Sequence, residues 1–185
     1  SVARACGAEV IYSETGYARA LRAGFCYALQ SKTPWVAQMD ADGQHLPSML
    51  PRLVNGLQRA DIVVGSRFLA DPGYSMPLHR NLAIRVLGGW ASCWSGEPLR
   101  DVTSGFRAWR REALQQMIQD FPPEIADANL LVRAIRRGLR VMEIPVSMRE
   151  RSGGHSMHGG LKSVWFAAQM AALTVREARV RDEPA

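Results

Sequence analysis

Lysine is nearly missing from this 185-residue chain: of its 23 basic residues only Lys32 and Lys162 are lysine, and the rest are arginine. Cysteine is scarce as well. Cys6, Cys26 and Cys93 are odd in number, widely spaced and without a CxxC pair, which argues against a zinc ribbon or a disulfide framework and suits free thiols in a reducing compartment. No run of eighteen apolar residues occurs, so no helix spans a bilayer. No secretory leader pattern stands at the start. The first residue is Ser1 rather than Met, and the chain is expected to be a fragment of a longer polypeptide. Internal repeats and low-complexity tracts are absent, which excludes a solenoid.

What is present is enough for one domain, 1–185, with a real core: 47% of the residues are hydrophobic. The net charge is +6 and the pI about 9.8. Arginine forks match phosphate oxygens, so the excess suits nucleic acid, an anionic membrane face or a phosphorylated substrate. A genome biased toward arginine codons gives the same excess, and charge alone chooses none of these.

Apolar runs of strand length alternate with stretches of helical spacing. Residues 8–13, 34–40, 61–66 and 139–148 read as strands, and 105–111 as a strand edge. Residues 16–30, 48–57, 79–95, 111–119, 127–137 and 160–180 read as helices. Pro51 is tolerated if Ser48 caps its helix, and Gly138 stops the helix before it. Strands separated by helices predict an α/β fold of three layers, with a mostly parallel sheet flanked by helices. Ligands in such sheets bind beyond the carboxyl ends of the strands. The segment 149–160 is rich in Gly, Ser and Arg and reads as a flexible loop. The last helix is amphipathic, with Leu161, Trp165, Ala168, Ala172 and Val175 on one stripe and arginines beyond it.

At the mouth of the second predicted strand stand Asp40 and Asp42, followed by Gln44 and His45, in "MDADGQH". Two carboxylates brought that close repel unless a cation lies between them. Hard oxygen ligands suit Mg2+ or Mn2+, which share their coordination with substrate phosphates. An EF-hand is excluded, since Gln44 and His45 occupy positions that need other residues. The plain alternative is a turn in which Asp42-Gly43 bends the chain.

Taken with "ALRAGF" (20–25), "DIVVGSRF" (61–68), "DVTSGFRAWRREAL" (101–114) and "EIPVSMRERSGGHS" (143–156), in that order, the chain resembles family 2 glycosyltransferases of the GT-A fold. The similarity spans nearly the whole sequence and points to the branch that includes dolichol-phosphate mannosyltransferase and polyprenyl-phosphate glycosyltransferases. It implies a nucleotide-sugar donor held through Mg2+ or Mn2+ at Asp40, Asp42 and Gln44, and a lipid-phosphate acceptor near Arg67. It further implies that Ser104 and Arg107 line the active site and that Arg149, Arg151 and Ser156 sit on a loop closing over the substrates. Work at the cytoplasmic, inner face of a membrane follows from the same resemblance. A lipid phosphate is already an anionic nucleophile, so positioning and charge neutralisation suffice. Transfer to a saccharide or cell-wall hydroxyl instead needs a general base, and Asp101 and Asp127 are the candidates. Asp101 has the alternative role of ordering the Thr-Ser-Gly turn that follows it.

Two departures from the family stand out. The nucleotide-gripping first strands, with their Asn-Glu motif, have no counterpart in these residues, which predicts an incomplete N-terminus and an exposed sheet edge that dimerisation would cover. Met157 replaces a lysine of the late loop, so a phosphate grip there falls to Arg149, Arg151 or His155. A catalytically incompetent basic remnant is therefore a competing reading. Nucleic acid is not an expected partner, because no aromatic platform or recognition helix is present. His155 and His158 read as exposed loop residues rather than metal ligands, with no carboxylate or cysteine beside them. Trp90 and Trp94 share a helix face directed at the core or at lipid.

Overall fold

The structure is a computed structural model and describes residues 2–70, 73, 76–149 and 161–179, the side chains of the last segment from residue 168 onward. A short helix α1 (Val2–Ala5) precedes α2 (Tyr17–Ala28) and strand β1 (Trp35–Gln38). A 3-10 turn (Pro47–Met49) leads into α3 (Leu50–Gly56), followed by β2 (Ile62–Ser66) and α4 (Leu78–Ser95). Then come β3 (Arg107–Arg110), α5 (Arg111–Ile118), α6 (Ala128–Arg136), β4 (Val141–Pro145) and α7 (Leu161–Arg179).

The four strands lie in the order β1-β3-β2-β4. β2 and β4 pair in parallel, whereas β3 runs antiparallel to both of its neighbours, β1 and β2. Three strands therefore share one direction and the fourth opposes them. Alternation along β2 explains the layers. Ile62 and Val64 enter one apolar cluster with α2 and α4–α7, while Val63 enters a second with Leu53 and Leu57 at α3. With both faces covered, β2 reads as an unbroken apolar run. Phe106 and Trp109 continue the division, on opposite faces.

Several expectations are corrected. Residues 8–13 form no strand: no ladder partner is present among the described residues, and Ile11 and Tyr12 are exposed. A strand needs a neighbour to take its amides, whatever its alternation. The 105–111 strand is interior rather than an edge. Ser48 does not cap α3; it lies inside the 3-10 turn, and Pro51 sits in the first turn of the helix as its missing amide permits. Gly138 does follow α6 in the left-handed region, at φ 78°. On α7, Ala168 and Ala172 of the apolar stripe are exposed and Val175 is partly buried, while Met170, Thr174 and Ala178 belong to the buried face. Trp94 packs on the core, whereas Trp90 stays partly exposed and donates its indole N–H to the Ala171 carbonyl at 3.2 Å.

Candidate active site

Beyond the carboxyl end of β1 the chain turns through Gly43, at φ 80°, and brings Asp40, Asp42 and Gln44 to one cleft of about 570 Å3. The Gln44 amide donates to Asp42 Oδ1 at 3.0 Å, which orients that carboxylate locally. The Asp40 amide donates to His45 Nδ1 at 2.9 Å. The buried His45 ring stacks on Phe106, 4.8 Å between centroids and 11° between planes. Burial lowers the His45 pKa, against the opposing pull of Asp40 and Asp42. A neutral imidazole is what an Nδ1 acceptor requires. The Asp40 carboxylate lies against the Gly105 backbone so closely that a Cβ there would stand 2.8 Å from Oδ1. His45 Nε2 lies 3.9 Å from its Oδ2.

The same cleft also has cationic lining. Arg67 leaves the end of β2 and Arg80 the first turn of α4, and both line the cleft. Arg67 is locked from two sides by Asp101, which is fully buried. Asp101 Oδ2 accepts the Arg67 backbone N–H at 2.9 Å and Nε–H at 2.7 Å, and Oδ1 accepts Nη2–H at 2.5 Å. Thr103 Oγ1 takes a further bond from Nη2 at 2.8 Å. Asp101 therefore stands behind the arginine and does not line the cleft.

Asp127 and Tyr17 also line the cleft. Asp127 is nearly buried, and its pKa is pushed up to about 6, by burial first and by the charge of Asp40, against the pull of Arg107. Partial burial first, and the Asp127 charge second, raise Tyr17 to about 12, although 38% of its surface stays exposed. Ser104 reaches the cleft, but its hydroxyl already donates to the Gly65 carbonyl at 2.7 Å. Arg107 does not line the cleft. It is completely buried, donating Nε–H to the Ser104 carbonyl at 2.7 Å and Nη2–H to the Val102 carbonyl at 3.0 Å, with Asp127 at 3.7 Å. A buried guanidinium must satisfy its donors, and backbone carbonyls of the 102–104 turn do so here. Arg149 is exposed and tied to the acidic stretch through its amide, which donates to the Gln44 carbonyl at 2.9 Å. Arg151, Ser156, His155 and His158 lie outside the described residues.

Tyr17, His45 and Arg80 are the site residues that sequence reasoning did not single out. His45 had a signal, as the residue closing the acidic motif; Tyr17 and Arg80 had none. Among the described residues no three carboxylate, imidazole or thiolate side chains converge on a metal position. Two carboxylates and an amide oxygen fit Mg2+ or Mn2+ all the same, because these ions keep much of their coordination for water and phosphate. A second cavity, about 400 Å3 beside α6 and α7, is lined by Arg133, Arg136, Arg137 and Arg176, of which Arg133 pairs with Glu177 at 2.6 Å and Arg137 with Asp120 at 2.5 Å.

The sequence profile described as glycosyl transferase family 2 matches residues 2–118. An undecaprenyl-phosphate mannosyltransferase of Micrococcus luteus is 33% identical over 156 residues, covering 80% of this chain and 63% of that protein. A polyprenol monophosphomannose synthase of Mycolicibacterium smegmatis is 32% identical over 155 residues, covering 80% and 58%. A dolichyl-phosphate hexose transferase of Haloferax volcanii is 33% identical over 156 residues, covering 82% and 65%. The chain thus spans roughly six-tenths of the length of these relatives. Glucosyl-3-phosphoglycerate synthase from Mycobacterium tuberculosis, solved with Mn2+, UDP-glucose and phosphoglyceric acid, superposes with a TM-score of 0.64 at 19% identity, over 98% of this chain and 64% of that one. At that identity the likeness concerns the fold alone.

Proposed function

The chain belongs to glycosyl transferase family 2, and on that premise we propose that it forms the metal-binding and acceptor side of an enzyme moving a hexose from a nucleotide-sugar to a polyprenyl phosphate. The observation that carries this reading is that one cleft is lined by Asp40, Asp42 and Gln44 together with Arg67 and Arg80. A divalent cation held by Asp40, Asp42 and Gln44 would neutralise the donor diphosphate and stabilise it as it leaves. Arg67, paired with Asp101, serves as an oriented hydrogen-bond donor rather than as an excess charge. Arg80 adds a second cation to the same cleft. An acceptor phosphate is anionic at neutral pH, so no side chain has to take its proton. What these residues supply is alignment of two anionic reactants that repel in water.

Two further observations support a lipid-bearing acceptor. The three curated relatives carry polyprenyl or dolichyl phosphate in their names. An apolar stripe also runs along α4 from its first residue: Leu78, Leu82, Val86 and Trp90 are 84, 62, 64 and 41% exposed. α4 contains no acidic residue. Such a face suits an anionic membrane surface. No helix among the described residues is long and apolar enough to cross the membrane itself.

A second reading rests on Asp127. A cleft carboxylate with a pKa of about 6 is a base suited to near-neutral pH, as transfer to a hydroxyl acceptor needs. Asp127→Asn separates the two: it should abolish transfer to a hydroxyl and spare transfer to a lipid phosphate. The first test of the main reading is calorimetric titration with GDP-mannose and UDP-glucose, with and without Mn2+, on the wild type and on Asp42→Ala. Metal-dependent binding lost in the variant is the expected result. Mn2+-dependent affinity unchanged by Asp42→Ala removes the metal assignment.

A further inference from the structure

We propose that Glu143 is a positioning residue for Arg67, acting through the peptide between Arg100 and Asp101; this rests on the reading of Arg67 as the acceptor-phosphate donor. Glu143 lies on β4 opposite Val64 of the parallel strand β2, close to where β2 releases Arg67. Its Oε1 accepts two consecutive backbone amides, Arg100 N–H at 2.8 Å and Asp101 N–H at 2.7 Å. Among the described residues no other acceptor takes either amide. The Ser66 side chain, on the residue before Arg67, also favours the charged form of this carboxylate.

The consequence is geometric. Glu143 sets the plane of the 100–101 peptide, and that peptide sets where the Asp101 side chain begins. Asp101 in turn fixes the Arg67 guanidinium with two side-chain bonds and the Arg67 backbone with a third. A bidentate fork tolerates little rotation of its partner, so an error at residue 101 is passed on to Arg67 undiminished. The beginning of this turn has separate support. Leu99 N–H donates to Ser92 Oγ of α4 at 2.8 Å, and α4 approaches so closely that a Cβ on Gly88 would lie 2.8 Å from the Arg100 carbonyl. The turn therefore stays packed without Glu143, while the orientation of the 100–101 peptide does not. Burial and the nearby Asp101 charge both disfavour a carboxylate at 143, and the two amides offset them only in part. Residue 143 is thus an acidic side chain kept against its surroundings by the job of holding these amides.

The test uses the protein expressed from its native gene, as Glu143→Ala, Glu143→Gln and Arg67→Ala. Steady-state kinetics with GDP-mannose and a polyprenyl phosphate are compared with the NMR signal of the Arg67 Nε–H, which a buried charge-assisted bond protects from exchange. Glu143→Ala should raise acceptor KM about tenfold, as for loss of one well-placed charged hydrogen bond, with donor KM within about twofold. The Arg67 Nε–H signal should broaden or vanish. Glu143→Gln, which still offers an oxygen, should restore both. If Glu143→Ala does not fold, Glu143→Asp, which withdraws the oxygen by one methylene, takes its place with the same expected split. An unmoved acceptor KM with an unmoved Nε–H signal overturns the proposal, and so does an equal rise in both KM values, which marks a merely structural role. Arg67→Ala separates the premise. If it leaves acceptor KM unchanged, the role given to Arg67 fails, and the Nε–H signal alone then decides whether Glu143 positions it.

Discussion

Replacing Asp127 by asparagine probes the electrostatics of the cleft most directly. Folding carries this carboxyl from the usual 3.8 to about 6, through burial and the charge of Asp40, with Arg107 opposing. An acid with a higher pKa in the folded state holds its proton more tightly there. Its contribution to stability is full below pH 3.8 and is lost as the pH rises through 6. Each pH unit between those values is worth about 1.4 kcal/mol, so the ionised side chain weakens the fold by about 3 kcal/mol at pH 7.5 relative to its protonated form. Asparagine keeps the shape and cannot ionise. The variant should therefore gain on the wild type as pH rises from 4 to 7.5, by about 2.4 kcal/mol. Urea unfolding at a series of pH values, without divalent cations and with equal m-values as a control, measures the difference. A variant-minus-wild-type difference that stays flat from pH 4 to 7.5 refutes the reasoning. Adding Mn2+ should narrow the gap, because neutralising Asp40 removes one of the charges that raise Asp127.

Other expectations follow from the same cleft and its surroundings. Gly105→Ala puts a Cβ 2.8 Å from Asp40 Oδ1 and 3.0 Å from Oδ2. A side-chain terminus can move aside, so the melting temperature should change little, while Mn2+-dependent nucleotide affinity should fall by about tenfold or more as the carboxylate is displaced. Wild-type affinity in that variant means that the placement of Asp40 is immaterial. The double variant Leu82→Glu/Val86→Glu should weaken binding to anionic vesicles by about tenfold or more in a sedimentation assay, through lost apolar burial and added repulsion, and should leave nucleotide binding intact. Equal partition of variant and wild type removes α4 as the membrane-facing surface.

The parts of this molecule legible in its sequence are those whose cause is local. The run 61–66 is apolar because β2 is covered on both faces, and it reads as a buried strand without help from elsewhere. Strand direction is not local: "RAWR" has the same pattern whichever way it runs, so the antiparallel insertion of β3 between β1 and β2 leaves no mark on those four residues. Residues 8–13 have a strand-like apolar content, yet no ladder forms, because pairing belongs to the neighbour as much as to the segment. On α7 the alanines make several faces nearly equivalent, and contacts of Met170 and Thr174 with the rest of the fold choose among them.

The same distinction divides the cleft. Its acidic lining comes from one continuous stretch, with Asp40, Asp42, Gln44 and His45 within six residues, and short-range bonds such as Gln44 N–H to Asp42 arrange it. Its cationic lining is assembled from distant places: Arg67 after β2, Arg80 from α4, and Asp101, 34 residues beyond the arginine it holds. Nothing near Arg80 separates it from a solvated first-turn charge. Arg107 shows the converse: it sits within a segment matching the family, but the carbonyls of Val102 and Ser104 enclose its guanidinium beneath the cleft. A sequence reading of such a cleft therefore finds its acidic stretch almost completely and under-reads its arginines, because a carboxylate pair is visible at short range, whereas an arginine is oriented only through the partner that the fold brings behind it.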